Sequence, residues 1–381
     1  MESQAETMRV ALVHEWLINF RGSEKVLLEL ARMFPDAVIY ASVLRRSELP
    51  EELAEREIRT TFIQQLPWAH RMYQKYLFLM PLAYARLDMS QYDLVITSSH
   101  ACANGVRPRR GAAHISYCYT PMRYAWSGYE DYRNSLRSPI ARVIMSVLMR
   151  WMRRWDYTAA QRVTRYIACS SAVSGRIKRY YHRESTVIFP PVTMHASDPQ
   201  GSIADLLPEL DGNPFYLSLG RLVPYKRVDL AIEACRRLGR RLVIAGTGPE
   251  LDRLRAMESP ATHFITSFSD DDAKLLYNNC AGFLFPGEED FGLTLVEAQL
   301  FGKPVVAYGR GGAVDTVIPM KTGILFDEQT PEAVAQAIEL LEQTSFDAEA
   351  IRRHASQFSP AAFRSAILKS VQTIMRGDRQ P

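Results

Sequence analysis

The sequence predicts an α/β protein built of two doubly wound domains. Three observations carry the prediction. The chain has 381 residues, more than one domain of roughly 100 to 200 residues usually holds. Short apolar runs that read as strands alternate with helix-like segments, the pattern of parallel sheets covered on both faces. One stretch, 190–214, is rich in Pro, Asp, Ser and Gly and shows little periodicity, so it reads as the junction.

The elements follow in order. MRVALVH (8–14) reads as a buried strand, and Val26, Leu27, Leu30 and Met33 mark a helix after it. Further strand-like runs stand at 37–41, 92–97, 113–118 and 164–169. After the junction FYLSLG restarts a sheet. Its strands are predicted at 215–219, 241–245, 282–285 and 304–307, with helices near 227–237, 249–257, 270–279 and 293–300. FSPAAFRSAILKSVQTIMRG closes the chain as a last helix. The predicted domains are residues 1–195 and 214–355, with a terminal helical segment at 356–381. Such domain pairs bind ligands in a cleft, at the carboxyl ends of their strands.

Composition excludes several classes. The apolar fraction of 47% and charged fraction of 23% are ordinary for a soluble globular chain, against collagen-like, low-complexity and disordered readings. No uninterrupted apolar run reaches the roughly 20 residues of a spanning helix. The opening MESQAET is polar and acidic, unlike a secretory signal. Five cysteines, at 102, 118, 169, 235 and 280, show no CxxC spacing. Neither a disulfide framework nor a zinc site is expected, and a reducing cytoplasm fits. The net charge of +4 conceals an asymmetry: residues 1–190 hold 27 Lys and Arg against 17 Asp and Glu, the remainder 19 against 25. A basic half suits an anionic partner: nucleic acid, a phosphorylated substrate or a membrane surface.

Four clusters in the second half bear on chemistry. After FLFP (283–286) comes GEEDFGLTLVEAQLFGKPVVA, in which seven residues separate Glu289 from Glu297. Phe291, Gly292 and Leu293 stand where a loop turns into a helix, and free N–H groups there suit an anion. One carboxylate could take sugar hydroxyls and the other a ribose; the alternative is a solvated acidic loop plus a structural glutamate. GRLVPYKR (220–227) follows a strand directly and sets Arg221 and Lys226 near its carboxyl end, where a cationic pair suits a diphosphate. Surface basic residues before a helix would look the same. Gly246-Thr247-Gly248 and Gly309-Arg310-Gly311-Gly312 are glycine turns and weak signals alone.

Taken in this order, GRLVPYKRVD, IAGTGPE and EEDFGLTLVEAQLFGKPVVA resemble the family-4 retaining glycosyltransferases of the GT-B fold. In that fold two Rossmann-like domains face each other across a cleft. VHEWLINFRGSEKVL and SYCYTPMRYAWSGYEDY in the first half look like members that build bacterial surface polysaccharides, often mannosyltransferases. The resemblance implies an acceptor-binding first domain, a nucleotide-sugar-binding second domain, and a terminal helix crossing back to the first, with hinges near 190–214 and 355–362. It implies that Arg221 and Lys226 hold the donor diphosphate. Glu297 would hold the ribose and Glu289 the transferred sugar, with amides of Phe291, Gly292 and Leu293 and the Gly246 turn nearby. Gly22, in Arg21-Gly22-Ser23, would approach the sugar and diphosphate; Ser23 replaces a second glycine common in the family. The resemblance implies no cofactor beyond the donor itself and usually no metal, and no Asp-x-Asp motif argues otherwise.

One departure stands out. Close relatives usually carry His where this chain has Tyr119, and that His normally contacts donor sugar or phosphate. A tyrosine hydroxyl can still hydrogen-bond, but it does not titrate near neutral pH. His100, His14 and Arg123 are the neighbouring candidates for sugar or acceptor contacts; ordinary structural roles are the alternative for the two histidines.

The first half carries a second signal. From Arg133 to Arg183 there are twelve Lys and Arg and a single acid, Asp156. Within it, segment 138–160 has helical character: Ile140, Ile144, Val147, Leu148, Trp151 and Trp155 repeat at three and four, interleaved with Arg142, Arg150, Arg153 and Arg154. Tryptophan with arginine on a helix suits a membrane–water interface, here the inner leaflet, or a pyrophosphate-bearing lipid acceptor. A core-facing helix with a solvated basic face is the alternative. No recognition motif accompanies the charge, which argues against nucleic acid.

These expectations combine into a retaining hexosyltransferase, with mannose from GDP-mannose as the preferred donor and a lipid-linked or saccharide acceptor. A UDP-sugar enzyme of the same fold, a nucleotide-sugar 2-epimerase or phosphorylase, and a non-catalytic sugar-nucleotide-binding scaffold are the competing readings. The Glu289–Glu297 spacing and the absence of a recognisable pyridoxal-lysine motif count against epimerase or phosphorylase. The joint presence of Arg221, Lys226, Glu289 and Glu297 counts against a scaffold.

Overall fold

The computed structural model describes residues 8–136, 138–194, 201–210 and 212–376. The chain divides into two compact units, Met1–Pro191 with Pro360–Pro381, and Val192–Ser359.

The first unit is a seven-stranded sheet in the order β3-β2-β1-β4-β5-β6-β7, every pair parallel. Its strands are β1 (Val10–His14), β2 (Val38–Ala41), β3 (Ile58–Thr60), β4 (Leu94–Ser99), β5 (Ala113–Cys118), β6 (Arg165–Ala168) and β7 (Ser185–Val187). The inner strands are buried on both faces, as near-continuous apolar runs require. Alternation along β1 divides the core: Leu12 packs on one side with Ile39 and Ile96, Ala11 and Val13 on the other with Val95. Chain order reverses between β1 and β4, and parallel sheets of this kind bind ligands at the carboxyl ends of such a crossing.

Three helices matter to the site or the surface: α1 (Gly22–Met33), α2 (Pro139–Ala160) and α3 (Ser171–Tyr181). Ser138 and Ser170 start α2 and α3 by accepting from the N–H of Ala141 and Val173. The terminal helix Pro360–Met375 also belongs to this unit. It buries Phe363, Ile367 and Val371 in the core, and Arg364 reaches the buried Glu29 carboxylate at 2.6 Å.

The second unit is a six-stranded parallel sheet in the order β10-β9-β8-β11-β12-β13. Its strands are β8 (Phe215–Leu219), β9 (Arg241–Ala245), β10 (Thr262–Ile265), β11 (Gly282–Phe285), β12 (Val305–Tyr308) and β13 (Gly323–Phe326). Here the reversal lies between β8 and β11. Helices α4 (Val228–Leu238), α5 (Asp270–Asn279), α6 (Leu293–Leu300), α7 (Pro331–Gln343) and α8 (Ala348–Ala355) cover it.

The junction differs from the expectation. Part of 190–214 is folded: Ser202 caps a short helix at Ile203–Leu206, and Leu207 and Leu210 are buried in the second unit's core. Leucines spaced among Pro and Asp hide this from a periodicity reading. Positions 195–200 and 211 of that stretch lie outside the described residues.

The helix at 139–160 also differs from a core-facing one. Met149, Met152, Asp156, Ala159 and Ala160 are its buried residues. Ile140 (72%), Val143 (64%), Ile144 (53%), Val147 (64%) and Trp151 (49%) are exposed instead. Trp155 turns inward and packs over Gly105, where an added Cβ would lie 2.7 Å from its ring. Arg153 is occupied by the Ala125 carbonyl and the Tyr129 ring, and Arg142 by the Leu136 carbonyl. Arg150 and Arg154 remain exposed beside the apolar stripe.

Candidate functional site

The candidate residues form two groups, one in each unit, each at the point where strand order reverses.

In the second unit the loop after β8 carries Gly220 to Lys226 and the loop after β11 carries Pro286 to Gly292. A 3-10 turn, Pro224–Lys226, brings Lys226 back toward the sheet. Its Nζ lies 3.1 Å from Glu289 Oε1, and both side chains are largely shielded from solvent. Two residues 63 positions apart in sequence are thereby joined across the reversal. Lys226 also stands over the Phe285 ring. Arg221 is exposed.

The glycines explain how these loops come so close. Gly246 has φ +152°, and a Cβ there would fall 1.9 Å from the Gly220 carbonyl oxygen. A Cβ on Gly312 would fall 2.2 Å from Phe291 Cα, and the Gly312 N–H donates to the Glu289 carbonyl at 2.8 Å. The two glycine turns, weak as sequence signals, are thus the supports on which the Lys226 and Glu289 loops rest.

Gly292, at φ +84°, occupies the position before α6. Phe291 is buried with its ring edge-on to Phe358, and Leu293 opens the helix. Glu297 lies on α6 and is only 9% exposed. Its Oε2 accepts from the hydroxyl of fully buried Tyr277, on α5, at 3.0 Å. Sequence reasoning missed Tyr277. Its signal was a lone tyrosine among the apolar positions of a helix, which a buried hydroxyl needs a partner to occupy.

In the first unit the crossing is between β1 and β4. His14 ends β1 and is fully buried. Its Nδ1 lies 3.0 Å from Ser98 Oγ, and its Nε2 3.5 Å from Glu24 Oε1. Glu24 is on α1, and its Oε2 accepts from the Arg21 N–H at 3.0 Å. Burial raises the Glu24 pKa, but His14 and the amides of Glu24 and Arg21 outweigh it and hold the carboxyl below its ordinary value.

Gly22 is the first residue of α1, with no left-handed backbone, so its dihedrals alone do not demand glycine. Tyr119 follows β5. Its hydroxyl lies 2.9 Å from Ser98 Oγ and donates to the Ser23 carbonyl at 3.0 Å. Burial pushes this phenol well above its ordinary pKa. His100 packs edge-on to Trp16 at 4.8 Å and lies 6.2 Å from the Tyr119 ring. Arg123, half-buried in the turn after β5, accepts the Gly128 N–H on its carbonyl.

Glu15 was also missed. It is fully buried, yet its carboxylate accepts from Ser99 Oγ and from the N–H groups of His100, Ala101, Cys102 and Ala103, all at 2.8 to 3.2 Å. An acid at the end of an apolar strand, between His14 and Trp16, was the available signal. Its five donors belong to a loop 84 or more residues away, which no local pattern shows.

Comparison with known proteins accords with this geometry. Residues 20–195 match glycosyltransferase family 4, and residues 205–358 match glycosyl transferases group 1. A GDP-mannose-dependent alpha-mannosyltransferase of Mycolicibacterium smegmatis is 35% identical over 118 residues, 31% of each chain. A glycogen synthase of Pseudomonas syringae is 33% identical over 143 residues, 34% of this chain and 29% of that one. The chain spans about a third of the length of the curated relatives it matches. Among solved structures, Anabaena HepE in complex with UDP superposes with a TM-score of 0.69 at 18% identity, covering 96% of this chain and 100% of that one. The galactosyltransferase WaaB superposes with a TM-score of 0.66 at 16% identity, covering 96% and 99%. At these identities the likeness establishes the fold. Among the described residues, no helix is long and apolar enough to cross a membrane.

Proposed function

Because this chain belongs to glycosyltransferase family 4 and has the GT-B fold, we propose that it transfers a hexose from a nucleotide sugar, with retention of configuration. The observation that carries this reading is the Lys226–Glu289 pair at the strand reversal of the second sheet, with Glu297 on the helix that follows. Lys226 and Arg221 neutralise the donor diphosphate and the charge that grows on it as the glycosidic bond breaks. Glu297 holds ribose hydroxyls, and Glu289 turns to the hexose once a diphosphate takes its place beside Lys226. No carboxylate is assigned as nucleophile; a front-face displacement assisted by the leaving phosphate fits the family. No metal is required, so chelation with EDTA leaves the rate unchanged.

The preferred donor is GDP-mannose, supported by the mannosyltransferase relatives. The Anabaena HepE structures hold UDP and UDP-glucose, which favours a UDP-sugar as the second reading. Calorimetric titration with GDP, UDP and ADP decides between them, with Lys226→Ala as control. Micromolar binding of one nucleotide, lost in the variant, establishes the site and names the donor class. Absence of binding by all three overturns the reading in favour of a scaffold.

The acceptor is a lipid-linked saccharide of bacterial surface polysaccharide synthesis, met at the inner face of the membrane from the cytoplasm. The exposed stripe Ile140, Val143, Ile144, Val147 and Trp151, flanked by Arg150 and Arg154, supports this. Cosedimentation with phosphatidylglycerol vesicles, lost in Val147→Asp, is the expected result. Equal recovery of both proteins with the vesicles overturns it.

A further inference from the structure

The direction of the Tyr119 hydrogen bonds is fixed by chemistry. The Ser23 carbonyl can only accept, so the single Tyr119 proton goes to it. Ser98 must then donate its own proton to the Tyr119 oxygen. Ser98 Oγ is left to accept from His14, so His14 Nδ1 carries hydrogen. The remaining ring nitrogen of His14 faces Glu24, whose other oxygen holds the Arg21 N–H. Two links hold the turn: Tyr119 on the carbonyl after Gly22 and Glu24 on the N–H before it, with buried His14 standing between Ser98 and Glu24.

We infer that Tyr119 is a positioning residue for the Arg21-Gly22-Ser23 turn. The inference rests on the proposed transfer reaction, in which this turn approaches the donor sugar and diphosphate. Gly22 is gripped on both sides: by the Glu24 carboxylate on Arg21, and by the Tyr119 hydroxyl on Ser23. Neither grip uses the glycine itself, which stands half-buried at the start of α1. The Tyr119 ring is wedged between Tyr117 at 5.4 Å and His100 at 6.2 Å, so the hydroxyl has little freedom to swing away.

Tyr119→Phe keeps the wedge and deletes both hydrogen bonds. Wild type and variant are compared in transfer from GDP-mannose, or from UDP-glucose should the wild type use that donor. Nucleoside diphosphate binding and amide hydrogen exchange over residues 20–25 are measured alongside. The expected result is a loss of about ten- to a hundredfold in kcat/KM, the scale of a small misplacement at a reacting centre. Exchange in 20–25 quickens, and nucleoside diphosphate affinity, which Lys226 governs, stays within about twofold of wild type. Wild-type kcat/KM and exchange overturn the inference. So does an equal loss of nucleotide binding and transfer, which marks general damage. Should Tyr119→Phe fail to fold, Ser98→Ala removes the second anchor of the same hydroxyl and the same comparisons decide. A fully active Lys226→Ala would sink the transfer reading itself; an inactive Lys226→Ala beside a normal Tyr119→Phe sinks only the role of Tyr119.

Discussion

Lys226 Nζ and Glu289 Oε1 stand 3.1 Å apart, closing the two loops that leave β8 and β11 at the reversal of the second sheet. The pair neutralises itself. In the proposed reaction, a diphosphate arriving there would exchange one carboxylate oxygen for several phosphate oxygens around the same ammonium group and release Glu289 toward whatever the diphosphate carries. On that proposal, binding of the leaving group and presentation of a carboxylate are one event.

Lys226→Ala therefore removes the diphosphate contact and leaves Glu289 without its cation. Nucleoside diphosphate affinity is expected to fall by roughly ten- to a hundredfold, the worth of one or two charge-assisted hydrogen bonds. Transfer is lost while far-UV circular dichroism is unchanged. Wild-type affinity by calorimetry would exclude Lys226 from the site.

Tyr277→Phe tests the support of Glu297. The hydroxyl removed is fully buried and fixes one carboxylate oxygen, so the variant loses about 1 kcal/mol of stability for the missing hydrogen bond. Glu297 then turns more freely, and the donor KM rises several-fold with kcat nearly constant. Glu297→Ala abolishes transfer outright. Steady-state kinetics at varied donor concentration separate the two, and equal effects would mean that Tyr277 does more than hold Glu297.

The strands legible in the sequence are the interior ones, whose residues are apolar without alternation because both faces are covered. The four strands it does not mark, β3, β7, β10 and β13, are the edges of the two sheets. β3 and β7 are three residues each and half-exposed, with Arg59 and Thr186 outward, and read like loop. The candidate site was legible where chemistry clusters locally, as in Arg221 to Lys226 and Glu289 to Glu297. It was not legible where a partner comes from far along the chain. Tyr277 meets Glu297, and Glu15 meets residues 99–103, through topology, so neither function shows in local spacing. His14 was legible as a histidine at a strand end, but its burial and its approach to Ser98 and Glu24 come from the fold.

Glu15→Ala removes the acceptor of five hydrogen bonds from the 99–103 loop and leaves four backbone N–H groups without it. Buried donors left unpaired cost about 1 to 3 kcal/mol each where water cannot reach them. The variant is expected to lose at least about 3 kcal/mol, and Glu15→Gln nearly as much, since half of the amide donates where only acceptors fit. Urea unfolding measures both. A stable Glu15→Gln would show that the loop does not depend on the charge.

Asp156 supplies a pH test of the first unit. It is the one acid of the basic stretch from Arg133 to Arg183, and it points inward from α2, accepting from Trp126 Nε1 at 2.7 Å and Tyr181 Oη at 2.8 Å. Burial is the largest influence on it and raises its pKa; the two hydrogen bonds oppose this, and nearby Glu15 adds to it, leaving the carboxyl raised to about 7. The folded state thus holds a proton that the unfolded chain releases near pH 4. Its contribution to stability is complete below that unfolded value and is lost as pH climbs through about 7. The ceiling on the effect is about 4 kcal/mol. Melting temperature should therefore decline from pH 5 to pH 8 by more than other groups account for. Asp156→Asn, which keeps an acceptor oxygen of the same reach but cannot ionise, should flatten that part of the profile. A variant with the same slope as the wild type would assign the decline to another group and place Asp156 as a permanently charged anchor of α2.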